Sequence, residues 1–343
     1  MNQKMLWLRN AINSMNLQGM IVSNPVNIYY LTNIKAEGTL LLTRKEIIYL
    51  TDGRYIEDVQ NTITLFDEIM VYNIKDLDKD DLENLFMYCE NVGFEENYVT
   101  YAEYKELIRK YKINNLVETE NIIEKQRMIK DEDEIESIKA ACDITNRCFE
   151  LIEPKLVPGV SEKEIAMQID EYFYRNSEGP AFETIVASGE NSSKPHAVPS
   201  NRIFEEQDII TIDIGCKING YCSDMTRTFF IGEPTEEQKK VYDLVKVNHD
   251  RAIDEIREGA NVKILSKSVE NDFNLYGFSL IHSLGYGVGL DIHEKPFVNS
   301  KNDFQLRENM VVTVEPGIYI PGKFGVRIED TILVEKYSAR KLS

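Results

Sequence analysis

The stretch IITIDIGCKINGYCSDMTRTFFI, residues 209–231, constrains this chain more than any other. Two apolar runs flank Asn219-Gly220, a dipeptide that favours a two-residue hairpin turn because both residues tolerate φ > 0. Such a turn sets Asp224 opposite Gly215. Residues 213 and 215 share one face of their strand. Asp213 and Asp224 then become diagonal neighbours, roughly 7–8 Å apart at most. Two carboxylates so placed repel each other unless something cationic sits between them. Exposure on an outer face would remove the conflict, but Asp213 lies between Ile212 and Ile214 in a strongly apolar strand. A one-residue slip would put the two acids on opposite faces and end the pairing.

Two further acids sit in similar surroundings. Glu315 ends the β-branched run of VVTVEPGIYI, and Glu329 lies within GVRIEDTILV, where Arg327 and Glu329 point the same way if the strand runs unbroken. One glutamate in a strand is ordinarily a surface group. Four acids in apolar strands of the same half of the chain instead form the donor set that divalent ions need. In two-metal sites the ions sit about 3.5–4 Å apart and clamp a reacting group.

The chain has four histidines. His249 falls in a helical pattern and reads as a packing residue. His196 lies in the polar loop SGENSSKPHAVPSN, and loops commonly carry binding groups. His282 and His293 bracket Gly285-Tyr286-Gly287 in HSLGYGVGLDIHE. Glycine there permits close backbone approach. GYGVG lacks the spacing and context of a dinucleotide fingerprint.

Size and texture place these residues in a two-part chain of 343 residues. Residues 1–122 alternate short helical and strand-like runs, including Leu40–Leu42, Ile47–Leu50 and Asn91–Phe94, as in an α/β domain. Residues 123–343 read as α+β. Their strand-like runs are 209–214, 225–231, 310–315 and 326–334, and their helices open on Ser161-Glu162-Lys163-Glu164 and Thr235-Glu236-Glu237-Gln238, both capping boxes. The second helix is expected to reach about Arg257.

Composition excludes several partners. With 39 basic and 58 acidic residues the net charge is −19, so neither nucleic acid nor an anionic membrane surface is an expected partner. The N-terminus has no unbroken apolar run, and its apolar residues Met5, Leu8, Ile12 and Met15 follow helical spacing, so no secretory signal is expected. No run approaches the ~18 apolar residues of a membrane span. The five cysteines form no CxxC pair and read as reduced packing residues, which points to the cytoplasm.

Taken in order, IDIG…D, PHA, HSLGxGVGLDIHE, VEPGIY and RIED resemble the motifs of the Xaa-Pro peptidases, prolidase and aminopeptidase P. The segment YYLTNI…TLLLT…YLTDGRY resembles that family's accessory domain. The resemblance implies a smaller creatinase-like N-terminal α/β domain, residues 1–122. It would precede a pita-bread catalytic domain, residues 123–343, of the creatinase and methionine aminopeptidase kind. It implies two divalent metal ions (Mn, Co or Zn) on Asp213, Asp224, Glu315 and Glu329, with a metal-bound hydroxide attacking the scissile carbonyl. Glu315 would also carry the proton. His282 and His293 would hydrogen-bond the substrate and intermediate, His196 would contact the substrate, and Arg327 would support Glu329. The substrate would be a proline-containing dipeptide or a peptide N-terminus, and the assembly a homodimer.

One residue departs from that pattern. The family's remaining ligand is a histidine where this chain has Tyr286. Tyr286 could serve as a phenolate ligand, could leave the site with one metal or none and little activity, or could be an isolated change in an ordinary enzyme. The alternatives are a catalytically inactive pita-bread binding protein, or a different hydrolase or lyase on the same fold.

Overall fold

The structure is a computed structural model and describes residues 3–63 and 68–343. The chain divides into two compact units, Met1–Arg127 and Met128–Ser343. No helix of the described residues is long and apolar enough to cross a membrane.

The first unit is built on one mixed sheet. Its strands are β1 (Gly19–Val22), β2 (Thr39–Leu42), β3 (Ile47–Thr51), β4 (Ile69–Asn73), β5 (Asn91–Phe94) and β6 (Asn115–Glu118), in the order β4-β3-β2-β1-β5-β6. β1–β2 and β2–β3 pair antiparallel, while β3–β4, β1–β5 and β5–β6 pair parallel. The first helix, Gln3–Ser14, buries Met5, Leu8 and Ile12. Met15 does not continue that face. Asn16 takes φ 57°, the chain turns, and Met15 is left exposed.

A polar network lies inside this unit. Glu95, only 5% exposed, accepts hydrogen bonds from the Ser23 and Asn24 amides at 2.6 and 2.8 Å and from Asn27 Nδ2 at 2.7 Å. Asn27 Nδ2 also donates to Glu124 at 2.7 Å, and Arg127 Nη1 donates to Asn27 Oδ1 at 2.8 Å. Burial pushes the Glu95 carboxyl up to about 7, against the hydrogen bonds from Asn27, Asn24 and Ser23 that favour the ion.

In the second unit two helix pairs pack on two sets of strands. The helices Glu132–Ile152 and Glu162–Asn176 cover β7 (Ile185–Ser188), β8 (Ile209–Ile214) and β11 (Met225–Phe230), which pair antiparallel in the order β11-β8-β7. Between β8 and β11 the chain makes the short hairpin β9 (Lys217–Ile218) and β10 (Tyr221–Cys222). The helices Glu236–Asp254 and Val262–Leu275 bury their apolar faces with the second group of strands. That group includes β12 (Gly285–Gly287), β13 (Glu294–Val298), β14 (Val311–Val314), β17 (Asp330–Val334) and β18 (Ala339–Lys341), plus the hairpin β15 (Gly317–Ile320) and β16 (Phe324–Arg327).

Local chemistry starts these helices. Ser161 and Thr235 each accept from the amide three residues on, and Glu164 and Gln238 return the bond. The helix opened by Thr235 ends at Asp254 rather than near Arg257. Ile256 N closes back on Ile253 O, a tighter turn that stops the helix. The run 326–334 is likewise not one strand. Ile328 N bonds Pro316 O and Glu329 N bonds Thr226 O, so the chain leaves β16 and crosses to β17 between different neighbours. All five cysteines are free and buried.

The Glu95 network generates a pH prediction. Its folded pKa lies above the ordinary carboxyl value, so folding favours the protonated form. That contribution is fully present below the unfolded pKa and is lost as pH rises through about 7. Chemical denaturation from about pH 5 to about pH 8 should show native stability falling relative to Glu95→Gln, by about 1–3 kcal/mol. An unchanged difference between the two proteins would contradict the account.

Candidate metal centre

Asn219 and Gly220 both take positive φ, 51° and 78°, as a two-residue turn of this hand requires. Its register runs on through the ladder, with Tyr221 opposite Ile218, Thr226 opposite Asp213 and Met225 opposite Ile214. Ile212 and Ile214 are fully buried in the apolar core, and Asp213 points the other way, into a cavity of about 810 Å³. Asp224, Glu315 and Arg327 line the same cavity. Asp213, Asp224 and Glu329 each offer an oxygen, and these atoms lie within 4.8 Å of one another. Glu315 does not join that trio.

The cluster is buried: Asp224, Glu315 and Glu329 are 2%, 8% and 1% exposed. Burial, then the charges of Asp213 and Glu315, pushes the Asp224 carboxyl far above the usual range. Burial, then Asp224, Glu315 and Asp213, does the same to Glu329. Burial raises Glu315 to about 8, opposed by Arg327. Asp213 Oδ1 and Glu329 Oε1 are buried with no hydrogen-bond partner. Unpartnered carboxylate oxygens facing one another fit a hard divalent cation, which takes oxygen ligands and offsets their repulsion.

Neutral hydroxyls and one guanidinium hold the acids in place. Arg327, 4% exposed, donates from Nη2 to Asp213 Oδ2 at 2.7 Å, from Nε to Thr226 Oγ1 at 3.0 Å and from Nη1 to the Tyr319 hydroxyl at 2.8 Å. Its direct carboxylate partner is therefore Asp213. It reaches Glu329 only through Thr226, whose Oγ1 donates to Glu329 Oε2 at 2.7 Å. Tyr319 links Arg327 to His282 Nε2 at 3.0 Å, and His282 Nδ1 lies 2.8 Å from the Ser283 carbonyl. Both His282 nitrogens thus have protein partners, and burial lowers its pKa to about 4, so the ring is neutral at pH 7. His196 and His293 line the cavity with exposed rings. Burial lowers the His293 pKa as well. His249 lies apart, buried against Asp330 and Asp250.

Tyr286 reaches the centre from β12. Its hydroxyl donates to Asp224 Oδ2 at 2.9 Å, its amide donates to Thr313 Oγ1 at 3.1 Å, and its ring meets His293 edge-on at 3.9 Å between centroids. Burial, then the surrounding carboxylates, raises its pKa far beyond the ordinary value, so it stands as a neutral phenol. The flanking glycines are required by close strand approach. A Cβ on Gly285 would lie 2.0 Å from Thr313 O, and one on Gly287 would lie 2.3 Å from Lys295 O.

Sequence reasoning missed Thr226, Thr313 and Tyr319. Tyr319 sits inside VEPGIYI, and that position was the available signal. A threonine in a strand carries none. Thr226→Val keeps the shape but strips a partner from Glu329 and from Arg327. Unfolding should show a loss of about 1–3 kcal/mol, and an unchanged midpoint would contradict the network.

Comparison with known proteins identifies the family. Residues 136–336 match the model of metallopeptidase family M24, and residues 5–129 match the creatinase/prolidase N-terminal domain. An Xaa-Pro dipeptidase from Pyrococcus horikoshii is 33% identical, with 100% of this chain and 97% of that protein covered. The structure of an Xaa-Pro dipeptidase from Bacillus anthracis is 33% identical, covers 99% of this chain and 96% of its own, and has a TM-score of 0.92. An X-Pro aminopeptidase structure from Thermotoga maritima is 30% identical, covers 97% of each chain and has a TM-score of 0.87. The fold, a creatinase-type N-terminal domain followed by a pita-bread domain, and the buried acids together place the chain in metallopeptidase family M24, a family of peptidases that use divalent metal ions.

Proposed function

We propose that this chain hydrolyses the peptide bond before proline, in a dipeptide or at the N-terminus of a longer peptide. The carboxylate trio beside a cavity of about 810 Å³ carries this reading, and the names of its relatives supply the substrate class. Asp213, Asp224 and Glu329 hold manganese, cobalt or zinc through their oxygens. A divalent ion there supplies acidified water and polarises a carbonyl. Glu315, beside the trio, takes and returns the proton. Arg327 and Thr226 hold Asp213 and Glu329 in position, and Tyr319 locks the neutral His282 ring. His196 and His293 offer ring nitrogens to the substrate. Phe182, Ile185, Val198, Ile292 and Phe297 give the cavity an apolar wall that suits a proline ring, which has no N–H to satisfy.

Buried, unpaired cysteines support a reducing compartment, and we read the protein as cytoplasmic. The family resemblance supports a homodimer, which light scattering on the purified chain measures directly. A non-catalytic binding role is the second reading, favoured by one observation: the Tyr286 hydroxyl already occupies an Asp224 oxygen.

Hydrolysis of Xaa-Pro dipeptides and Xaa-Pro-led tripeptides decides between them. Metal-loaded protein should cleave, lose activity on chelation and regain it with metal. Asp213→Asn should lose about 100-fold or more in kcat/KM, as expected when a charged group at a metal centre is removed. If metal-loaded native protein cleaves no proline substrate, the binding-protein reading replaces this one.

A further inference from the structure

We infer that this centre holds a single divalent ion, with the Tyr286 hydroxyl standing where a second would have to bind. The inference rests on the metallopeptidase reading above and concerns how many ions that site can take.

The argument is a census of oxygens. Arg327 Nη2 occupies Asp213 Oδ2, Thr226 Oγ1 occupies Glu329 Oε2 and the Tyr286 hydroxyl occupies Asp224 Oδ2. The other oxygen of each carboxylate accepts none of these bonds and is the better placed to ligate. Asp213 Oδ1 and Glu329 Oε1 are buried and unpartnered, and the trio's ligand atoms lie within 4.8 Å of one another. One oxygen from each of three carboxylates within this span is a donor set for one cation. A second ion would need the other oxygens of this set together with Glu315. The Tyr286 hydroxyl already donates to the Asp224 oxygen that such an ion would have to share, and Tyr286 and Glu315 line the same cavity as Asp224.

Several contacts hold Tyr286 in this position. Thr313 holds the Tyr286 amide, His293 packs on its ring, and the close strand contacts at Gly285 and Gly287 fix the backbone on either side. The hydroxyl donates one proton to a carboxylate. It thereby eases part of the repulsion that a second cation would otherwise relieve.

Metal counting on the full chain tests this. The protein is saturated with Mn(II) or Co(II), desalted and analysed by elemental mass spectrometry. Co(II) titration is followed in parallel by calorimetry and by the ultraviolet difference absorbance of tyrosinate. Native protein should bind one ion per chain with no tyrosinate signal. Glu315→Gln should keep the one ion, whereas Glu329→Gln should weaken its binding by about tenfold or more. Tyr286→His, which swaps the hydroxyl for a ligating imidazole, should bind two. Two ions on the native chain, a tyrosinate signal that grows with metal, or a single ion on a folded Tyr286→His variant would each overturn the inference while leaving the peptidase reading intact. No bound ion at all would overturn both.

Discussion

Four carboxylates that repel one another, three of them buried, set the terms for the second unit. Burial and the neighbouring acids raise the proton affinity of Asp224, Glu315 and Glu329, and the guanidinium of Arg327 is already spread over Asp213, Thr226 and Tyr319. Burial of charge is tolerated only where it is paired or bound to metal. The strands must therefore hold the acids close enough to share a cation and stiffly enough not to relax when it is absent. Hydroxyls do the stiffening: Thr226 bridges Arg327 and Glu329, Thr313 pins β12, and Tyr319 ties Arg327 to His282.

The backbone delivers these groups from β8 and from the breaks beside β11, β14 and β17. A tight turn at Asn219-Gly220 sets the register of β8 and β11, and with it the common face of Asp213 and Asp224. The break between β16 and β17 frees Glu329 to reach the same point. Gly285 and Gly287 let β12 press against β13 and β14, so that Tyr286 projects into the centre. Chemistry here is a consequence of register: a slip of one residue in any of these strands would empty the site.

How far this was legible from the chain follows from the same physics. The Asp213–Asp224 pairing was legible because turn type and strand period are local rules. Glu315 and Glu329 were legible as candidates because acids in apolar strands conflict with burial. The partition of roles was not. The resemblance assigned Arg327 to Glu329, and the structure connects the two through Thr226 while giving Arg327 a direct bond to Asp213. Thr226 and Thr313 left no trace because a hydroxyl's value lies in its partners, which only the tertiary structure brings together. Buried Glu95 escaped for the same reason: its partners lie 68 to 72 residues away. Tyr286 was visible as an oddity, and geometry converted it into a hydrogen-bond donor to Asp224.

The claim beneath all of this is that the carboxylate trio exists to hold a divalent cation. Anomalous diffraction from crystals grown in Mn(II) tests it most directly. The account predicts a peak within ligand distance of Asp213, Asp224 and Glu329, at about 2.0–2.6 Å from their oxygens. Crystals saturated with manganese that show no density among those three residues would contradict it.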